Sequence, residues 1–272
     1  MRPFTQVDVF TDEFRYGNPV AVVHDADGLT DDDLAAFARW TNLSETTFLL
    51  PPTDERADYR LRIFTTTREL PFAGHPTLGS ARAWLEAGGT PKGDHIVQEC
   101  GAGLVAVRRE GARLAFAAPP RLREGPLDDT HLAGVVAGLR VEPDDVIDAQ
   151  WADNGPGWVA LLLRDAQTVL DLEPDWAAIS SVGVIGAYPP GSEIDFEVRA
   201  FTRLVGREDP VTGSLNAAIA QWLIPAGLAP ERYVAAQGTV MQRRGRVHVQ
   251  RDESGIWVGG DAVVGITGRV AL

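Results

Sequence analysis

The chain has 272 residues and a formal net charge of −13, with 25 Lys and Arg against 38 Asp and Glu. This acidity disfavours binding to nucleic acid or to an anionic membrane surface. The one cysteine, Cys100, excludes an internal disulfide, a zinc finger and a two-cysteine redox pair. The first ten residues lack the apolar core of a signal peptide, and we expect a reducing, cytoplasmic location.

Short strands and a few helices are predicted along the first half of the sequence. Hydrophobic periodicity, turn residues and capping residues give these predictions. In chain order they are strands at Val7–Phe10 and Val20–Val23, a helix capped by Thr30, strands at Phe48–Leu50 and Tyr59–Thr65, and a small-residue helix at Thr77–Ala87 that Gly88 and Gly89 end.

The second half repeats part of this pattern. A shift of 137 positions aligns Arg62–Thr65 with Arg199–Thr202, and Thr77–Leu78 with Ser214–Leu215. Both copies predict a strand, a loop and a helix of small residues, which favours duplication over chance.

A helix that is apolar all round must be enclosed by other elements. We therefore expect an α/β (α+β) chain of two pseudo-symmetric halves, residues 1–120 and 121–272, with the last strand free to pack back on the first half. Each half is expected to be a curved, barrel-like, mostly antiparallel sheet around a central helix. The cleft between the halves is the expected place for a site.

Glu45 is the first candidate for chemistry. It lies among hydroxyl residues, between a predicted helix end and an apolar strand, in Asn42–Phe48. Two interpretations stay open: a surface carboxylate in a loop, or a desolvated carboxyl group that moves protons.

His75 is the second candidate, in the segment Glu69–Thr77. At the start of a buried helix, N–H groups and the helix dipole favour an anion and a neutral imidazole. The alternative is that Thr77 caps the helix and His75 is a turn residue.

Asp209 and Ser214 occupy the equivalent position before the second buried helix, in Gly206–Ser214. The alternative is that either residue is a plain N-cap. Taken together, the two segments predict two helix starts that serve a carboxylate or an enolate-like anion.

Other chemistries are disfavoured. The five histidines are scattered without metal-ligand spacing, and the sequence has no GxSxG elbow and no P-loop. We expect no metal and no cofactor. Cys100 is interpreted as a structural thiol, and the basic cluster Gln242–Arg246 as a solvated hairpin turn.

The motifs together resemble the PhzF family of phenazine-biosynthesis isomerases over nearly the whole chain. The resemblance is carried by Val7–Phe10 with Gly17–Pro19, Asn42–Thr46, Gly74–Thr77, Glu208–Ser214, Gln237–Gly238 and Gly259–Gly260. It implies a fold like that of diaminopimelate epimerase. That epimerase uses two cysteines, so the single Cys100 excludes its two-thiol mechanism here.

The resemblance also implies roles for individual residues. The catalytic set would be Glu45 as acid and base, with His75, Asp209 and Ser214 assisting. The implied substrate-binding residues are Asn18, Ser44, Gly74, Thr77, Thr212 and Gly213. The implied reaction is a cofactor-free proton shift on a small amino or hydroxy carboxylic acid, expected to be cyclic, in a biosynthetic process and in a homodimer.

Two alternatives remain open at this point. A racemase or epimerase of another small acid would need a second acid/base group, for which Asp209 and His75 are the candidates. A non-catalytic family member would instead bind a small acid or a protein partner.

Overall fold

The chain folds into two compact structural units. The structure, a computed structural model, describes residues 1–202 and 207–272. The first unit comprises residues 1–117 and 259–272, and the second unit comprises residues 118–258.

Strands dominate both units. The elements of residues 1–117 are β1 Arg2–Val9, β2 Asn18–Val23, α1 Asp31–Thr41, β3 Glu45–Leu50, β4 Tyr59–Phe64, β5 Glu69–Leu70, α2 Gly74–Glu86, β6 Ile96–Cys100, β7 Gly103–Glu110 and β8 Arg113–Ala117. Those that follow are β9 Arg123–Pro126, α3 Asp129–Leu139, β10 Val146–Asp153, β11 Val159–Leu163, α4 Ala166–Leu170, β12 Val182–Ala187, β13 Phe196–Thr202, β14 Arg207–Asp209, α5 Gly213–Leu223, β15 Arg232–Gln237, β16 Gly245–Asp252, β17 Gly255–Gly260 and β18 Ala262–Val270. Short 3₁₀ helices occur at Pro143–Asp145 and Thr239–Met241.

Strand pairing runs in the same order in the two units. In the first unit, β2 pairs parallel with β3, β3 antiparallel with β4, β4 antiparallel with β5 and parallel with β6, and β6 antiparallel with β7. In the second unit, β11 to β16 repeat these pairings with the same directions. The helices α2 and α5 are inserted at the same point of each series, as the sequence repeat predicts.

The predicted elements are found, but four of them begin earlier than the pattern indicates, among them β1 at Arg2 and β2 at Asn18. Helix α2 starts at Gly74 rather than Thr77, because a proline as third helical residue is tolerated in the first turn. Strand β3 starts at Glu45 rather than Phe48, so that Glu45 belongs to a strand rather than to a loop. Thr30 caps α1 as predicted, with a capping box completed by Asp33.

Small residues allow α2 to pack against the sheet of the first unit. The helix contacts β1, β2, β8 and β18, and most of its residues are buried. A Cβ atom at Gly79 would collide with the side chains of Val20 and Val9. The glycine is therefore a packing requirement of this helix.

Gly79→Ala is expected to lower the free energy of unfolding by about 1–3 kcal/mol, since overpacking outweighs the gain in helix propensity. Gly134→Ala on α3 is the matched control, because a Cβ atom there meets nothing within 4 Å. This control should be neutral or stabilising by up to about 1 kcal/mol. Urea denaturation of both variants measures the difference, and equal effects would contradict the packing argument.

Among the described residues, no helix has the length and apolarity that crossing a membrane requires.

Candidate active site

Glu45 and His75 meet inside the first unit. Glu45 is the first residue of β3 and His75 the second residue of α2. The His75 Nε2 atom lies 3.4 Å from Glu45 Oε2, and the two side chains are only 6% and 12% exposed. A mostly desolvated carboxyl group therefore faces a ring nitrogen.

His75 is held in its neutral form. Burial lowers its pKa to about 3, against a smaller raising effect of the hydrogen bond to the Pro19 carbonyl. Its Nδ1 atom lies 3.4 Å from Asn18 Nδ2. A neutral imidazole carries no charge, so its contact with Glu45 is not a permanent ion pair.

Acid should destabilise the protein through His75. The folded-state pKa lies below the unfolded value, so the unfolded chain binds the proton more readily and stability falls as pH drops from about 6.5 towards 3. The free energy of unfolding of the wild type should therefore fall between pH 7 and pH 5. In His75→Gln, where a neutral amide replaces the ring, this fall should be smaller by about 2 kcal/mol. Urea denaturation at the two pH values measures this. Identical pH dependence in the two proteins would show that His75 already titrates normally.

The two buried helices differ from the others at their N-termini. Side chains of Thr30, Asp128 and Asp165 cap α1, α3 and α4. Within residues 1–202 and 207–272, α2 and α5 have no side-chain cap and no acidic residue in the first turn. Each of these two starts therefore presents N–H groups and the positive end of the helix dipole, which favours an anion.

In the second unit, Gln237 organises the turn that precedes α5. Its Oε1 accepts from the Thr212 backbone N–H at 3.0 Å and from Asn216 Nδ2 at 2.9 Å. Its Nε2 donates to Thr212 Oγ1 at 2.9 Å, and that hydroxyl donates to Asp209 Oδ2 at 2.6 Å. These bonds fix the orientation of the Gln237 amide. Gln237 in turn fixes the Thr212 hydroxyl, and that hydroxyl orients the Asp209 carboxylate.

Ser214 receives two further contacts. The indole Nε1 of Trp158 donates to Ser214 Oγ at 3.1 Å, and Asn154 Nδ2 donates to the Ser214 carbonyl at 2.8 Å. Ser214 is the second residue of α5 and is half-buried, so its hydroxyl is fixed at the helix start.

A buried ion pair supports Asp209 through its neighbour. Arg199 on β13 forms two parallel hydrogen bonds with Glu208, each 2.9 Å long. The remaining guanidinium nitrogen, Nη1, donates to carbonyls at and just after the end of α4, including that of Leu172 at 2.8 Å. This pair fixes β14, whose last residue is Asp209.

The other predicted site residues fall into two groups. Asn18, Gly74 and Gly213 are buried next to the groups described above, and Ser44 is half-buried immediately before Glu45. Thr77 is fully buried and its hydroxyl accepts from Gln98 Nε2 at 3.0 Å, so that it supports the packing of α2.

The plain capping alternatives do not hold. The N-cap position of α2 is Ala73 and that of α5 is Thr212, so neither Thr77, Asp209 nor Ser214 is a cap. Cys100 is half-buried with a raised thiol pKa, chiefly because of burial. This fits the interpretation of a structural thiol.

Sequence patterns missed Trp158, Asn154, Asn216 and Arg199. Trp158 follows Asn154-Gly155-Pro156-Gly157, which by itself predicts only a turn. The repeat that aligns Arg62 with Arg199 was an available sequence signal for Arg199. Over the described part of the chain, no group of three His, Cys, Asp or Glu side chains is arranged to hold a metal ion.

Comparison with known proteins shows similarity over most of the chain. A family model described as "Phenazine biosynthesis-like protein" matches residues 7–268. "Antisense-enhancing sequence 1" of Schizosaccharomyces pombe is 36% identical over 98% of this chain and 97% of its own length. The trans-2,3-dihydro-3-hydroxyanthranilate isomerase of Pseudomonas aeruginosa is 29% identical over all of both chains.

Solved structures show the same fold. A predicted epimerase from Pseudomonas aeruginosa superposes with a TM-score of 0.81 at 27% identity and covers all of both chains. The expected fold class is confirmed. With the family match over most of the chain, these comparisons show that the chain belongs to the phenazine biosynthesis-like PhzC–PhzF family and is an isomerase.

Proposed function

We propose that the chain is a cofactor-independent isomerase that moves a proton between two carbon atoms of a small, cyclic amino or hydroxy carboxylic acid. Glu45 is the acid and base. The named substrate of the Pseudomonas aeruginosa relative, trans-2,3-dihydro-3-hydroxyanthranilate, is the first compound to test.

The chemistry needs one group that both takes and returns a proton. The Glu45 carboxylate removes a proton from a ring carbon, and the electrons of the broken C–H bond shift the double bond. The protonated Glu45 then delivers a proton to the carbon at the other end of the shifted system. Product and substrate have the same atoms, so the reaction consumes no oxidant or co-reactant.

The observation that carries this proposal is the contact between Glu45 and a neutral His75 at 3.4 Å. A cationic neighbour would favour only the ionised carboxylate, whereas neutral imidazole tolerates both forms of Glu45. Low exposure keeps water from competing for the proton.

The uncapped helix starts support an anionic substrate. N–H groups at Gly213 and Ser214 would bind the carboxylate, and Gly74 would offer a similar group. Asp209 and His75 would hold amino or hydroxyl substituents, with Asn18 orienting the ring of His75.

The test is an assay of the purified chain with trans-2,3-dihydro-3-hydroxyanthranilate and a panel of linear and cyclic amino and hydroxy acids, followed by NMR and chiral chromatography. Double-bond migration in a cyclic acid is expected. Formation of an enantiomer or epimer instead would identify a racemase, with Asp209 or His75 as the second acid/base group. Binding without conversion of any compound would favour a non-catalytic role.

A homodimer is part of the same proposal. Light scattering at micromolar concentration should give twice the mass of 29.3 kDa. A monomer mass would refute this part alone.

A further inference from the structure

We propose that Trp158 determines specificity at the start of α5 by orienting the Ser214 hydroxyl as a hydrogen-bond donor, so that this position selects a carboxylate over the matching neutral amide. The inference rests on the proposed function and extends it to a residue outside the known motifs.

A rigid loop delivers Trp158 to this position. At the end of β10, Asp153 Oδ1 accepts from the backbone N–H groups of Gly155 at 2.7 Å and Gly157 at 2.6 Å. Both glycines have positive φ, at 135° and 80°, which a side chain would strain. The loop closes with the Ala152 N–H donating to the Trp158 carbonyl at 3.0 Å.

Trp158 is then fixed by packing. It is only 2% exposed, and it directly precedes β11, which pairs with strands on both sides. Its neighbour in the loop, Asn154, anchors the Ser214 carbonyl. The contact between the indole and Ser214 is therefore set by the fold rather than by a mobile side chain.

The donor character of Ser214 follows from the chemistry of indole. The indole Nε1–H group can only donate, so the Ser214 oxygen must accept from it. A hydroxyl has a single proton, which can then be donated to another group. A carboxylate accepts through either of two charged oxygens, whereas a primary amide accepts through one neutral oxygen, and its nitrogen offers only donors, which this serine is poorly oriented to accept.

The binding test uses 3-hydroxyanthranilate and its primary amide as probes. They have the same ring, amino and hydroxyl groups and differ only at the carboxyl position. Calorimetry should show that the wild type binds the carboxylate more tightly. In Trp158→Phe the hydroxyl can rotate to accept from the amide, so the preference should fall about three- to tenfold, the range of one neutral hydrogen bond.

Trp222→Phe is the matched control. Trp222 lies on α5 itself and is 3% exposed, but its Nε1 has no hydrogen-bond partner among the described residues. The Trp222→Phe variant loses a similar amount of packing and should keep the wild-type preference for the carboxylate over the amide. In a Ser214→Ala background, Trp158→Phe should leave the preference unchanged, because the group that it orients is gone.

A second measurement uses only the wild type and so does not depend on whether Trp158→Phe folds. In wild-type protein, 3-hydroxyanthranilate should shift the assigned Nε1–H resonance of Trp158 more than its amide does. An unchanged carboxylate preference in Trp158→Phe, or an unmoved Trp158 resonance on carboxylate binding, would overturn this inference alone. Failure of the wild type to bind 3-hydroxyanthranilate would overturn the proposed substrate class, and this inference with it.

Discussion

Glu45→Gln is expected to lower kcat for double-bond migration by about 10²- to 10⁴-fold, the usual contribution of a general acid–base group. The amide keeps the size and polarity of the side chain at its contact with His75, but it cannot take or return a proton. Affinity for the substrate should change little, because the carboxyl-binding groups proposed for α5 are untouched. The measurement is kcat and KM by NMR.

Glu86→Gln is the control for this prediction. Glu86 ends α2 in the same unit and pairs with Arg82 on an exposed surface. Its substitution should leave kcat unchanged. If Glu45→Gln retained wild-type kcat, the proton would have to move through another group.

Arg199→Met is expected to lower the free energy of unfolding by about 3–5 kcal/mol, the largest stability effect that we predict. The Arg199 and Glu208 side chains are 4% and 9% exposed, so removal of the guanidinium leaves Glu208 buried without its cation. Because Asp209 follows Glu208, kcat/KM should fall as well. Urea denaturation measures the stability term.

The repeat supplies a matched control for this ion pair. Arg62 aligns with Arg199, forms the same two-bond contact with Glu69, and lies over Phe64 as Arg199 lies over Phe201. Glu69, however, is 42% exposed. Arg62→Met should therefore lower the free energy of unfolding by no more than about 1 kcal/mol. Equal costs in the two variants would contradict the argument from burial.

Much of the fold could be predicted because local signals agree with the tertiary structure. The Thr30 cap, the alternation of Tyr59–Phe64 and the repeated small-residue helix correspond to observed elements. The start of β3 was missed because Thr46 and Thr47 are polar. Both are fully buried and satisfied by hydrogen bonds to Thr41 and Ser80, which sequence periodicity does not reveal.

The candidate site could be predicted only in part. Glu45, His75, Asp209 and Ser214 lie in short motifs, and the structure places each at the start or end of an element. Some residues that orient them, such as Thr212 and Gln237, also lie in motifs, whereas Trp158, Asn154 and Arg199 do not. Trp158 contacts Ser214 across 56 positions of sequence, and such pairs depend on the packing of α5 rather than on any local pattern.

The most direct test of proton transfer by Glu45 is the reaction of trans-2,3-dihydro-3-hydroxyanthranilate in D₂O, followed by NMR for the wild type and Glu45→Gln. We predict that the wild type forms the isomer, with any deuterium confined to the one carbon that Glu45 protonates, and that Glu45→Gln forms neither isomer nor label while still binding 3-hydroxyanthranilate. Isomer formed by Glu45→Gln at the wild-type rate would contradict the account.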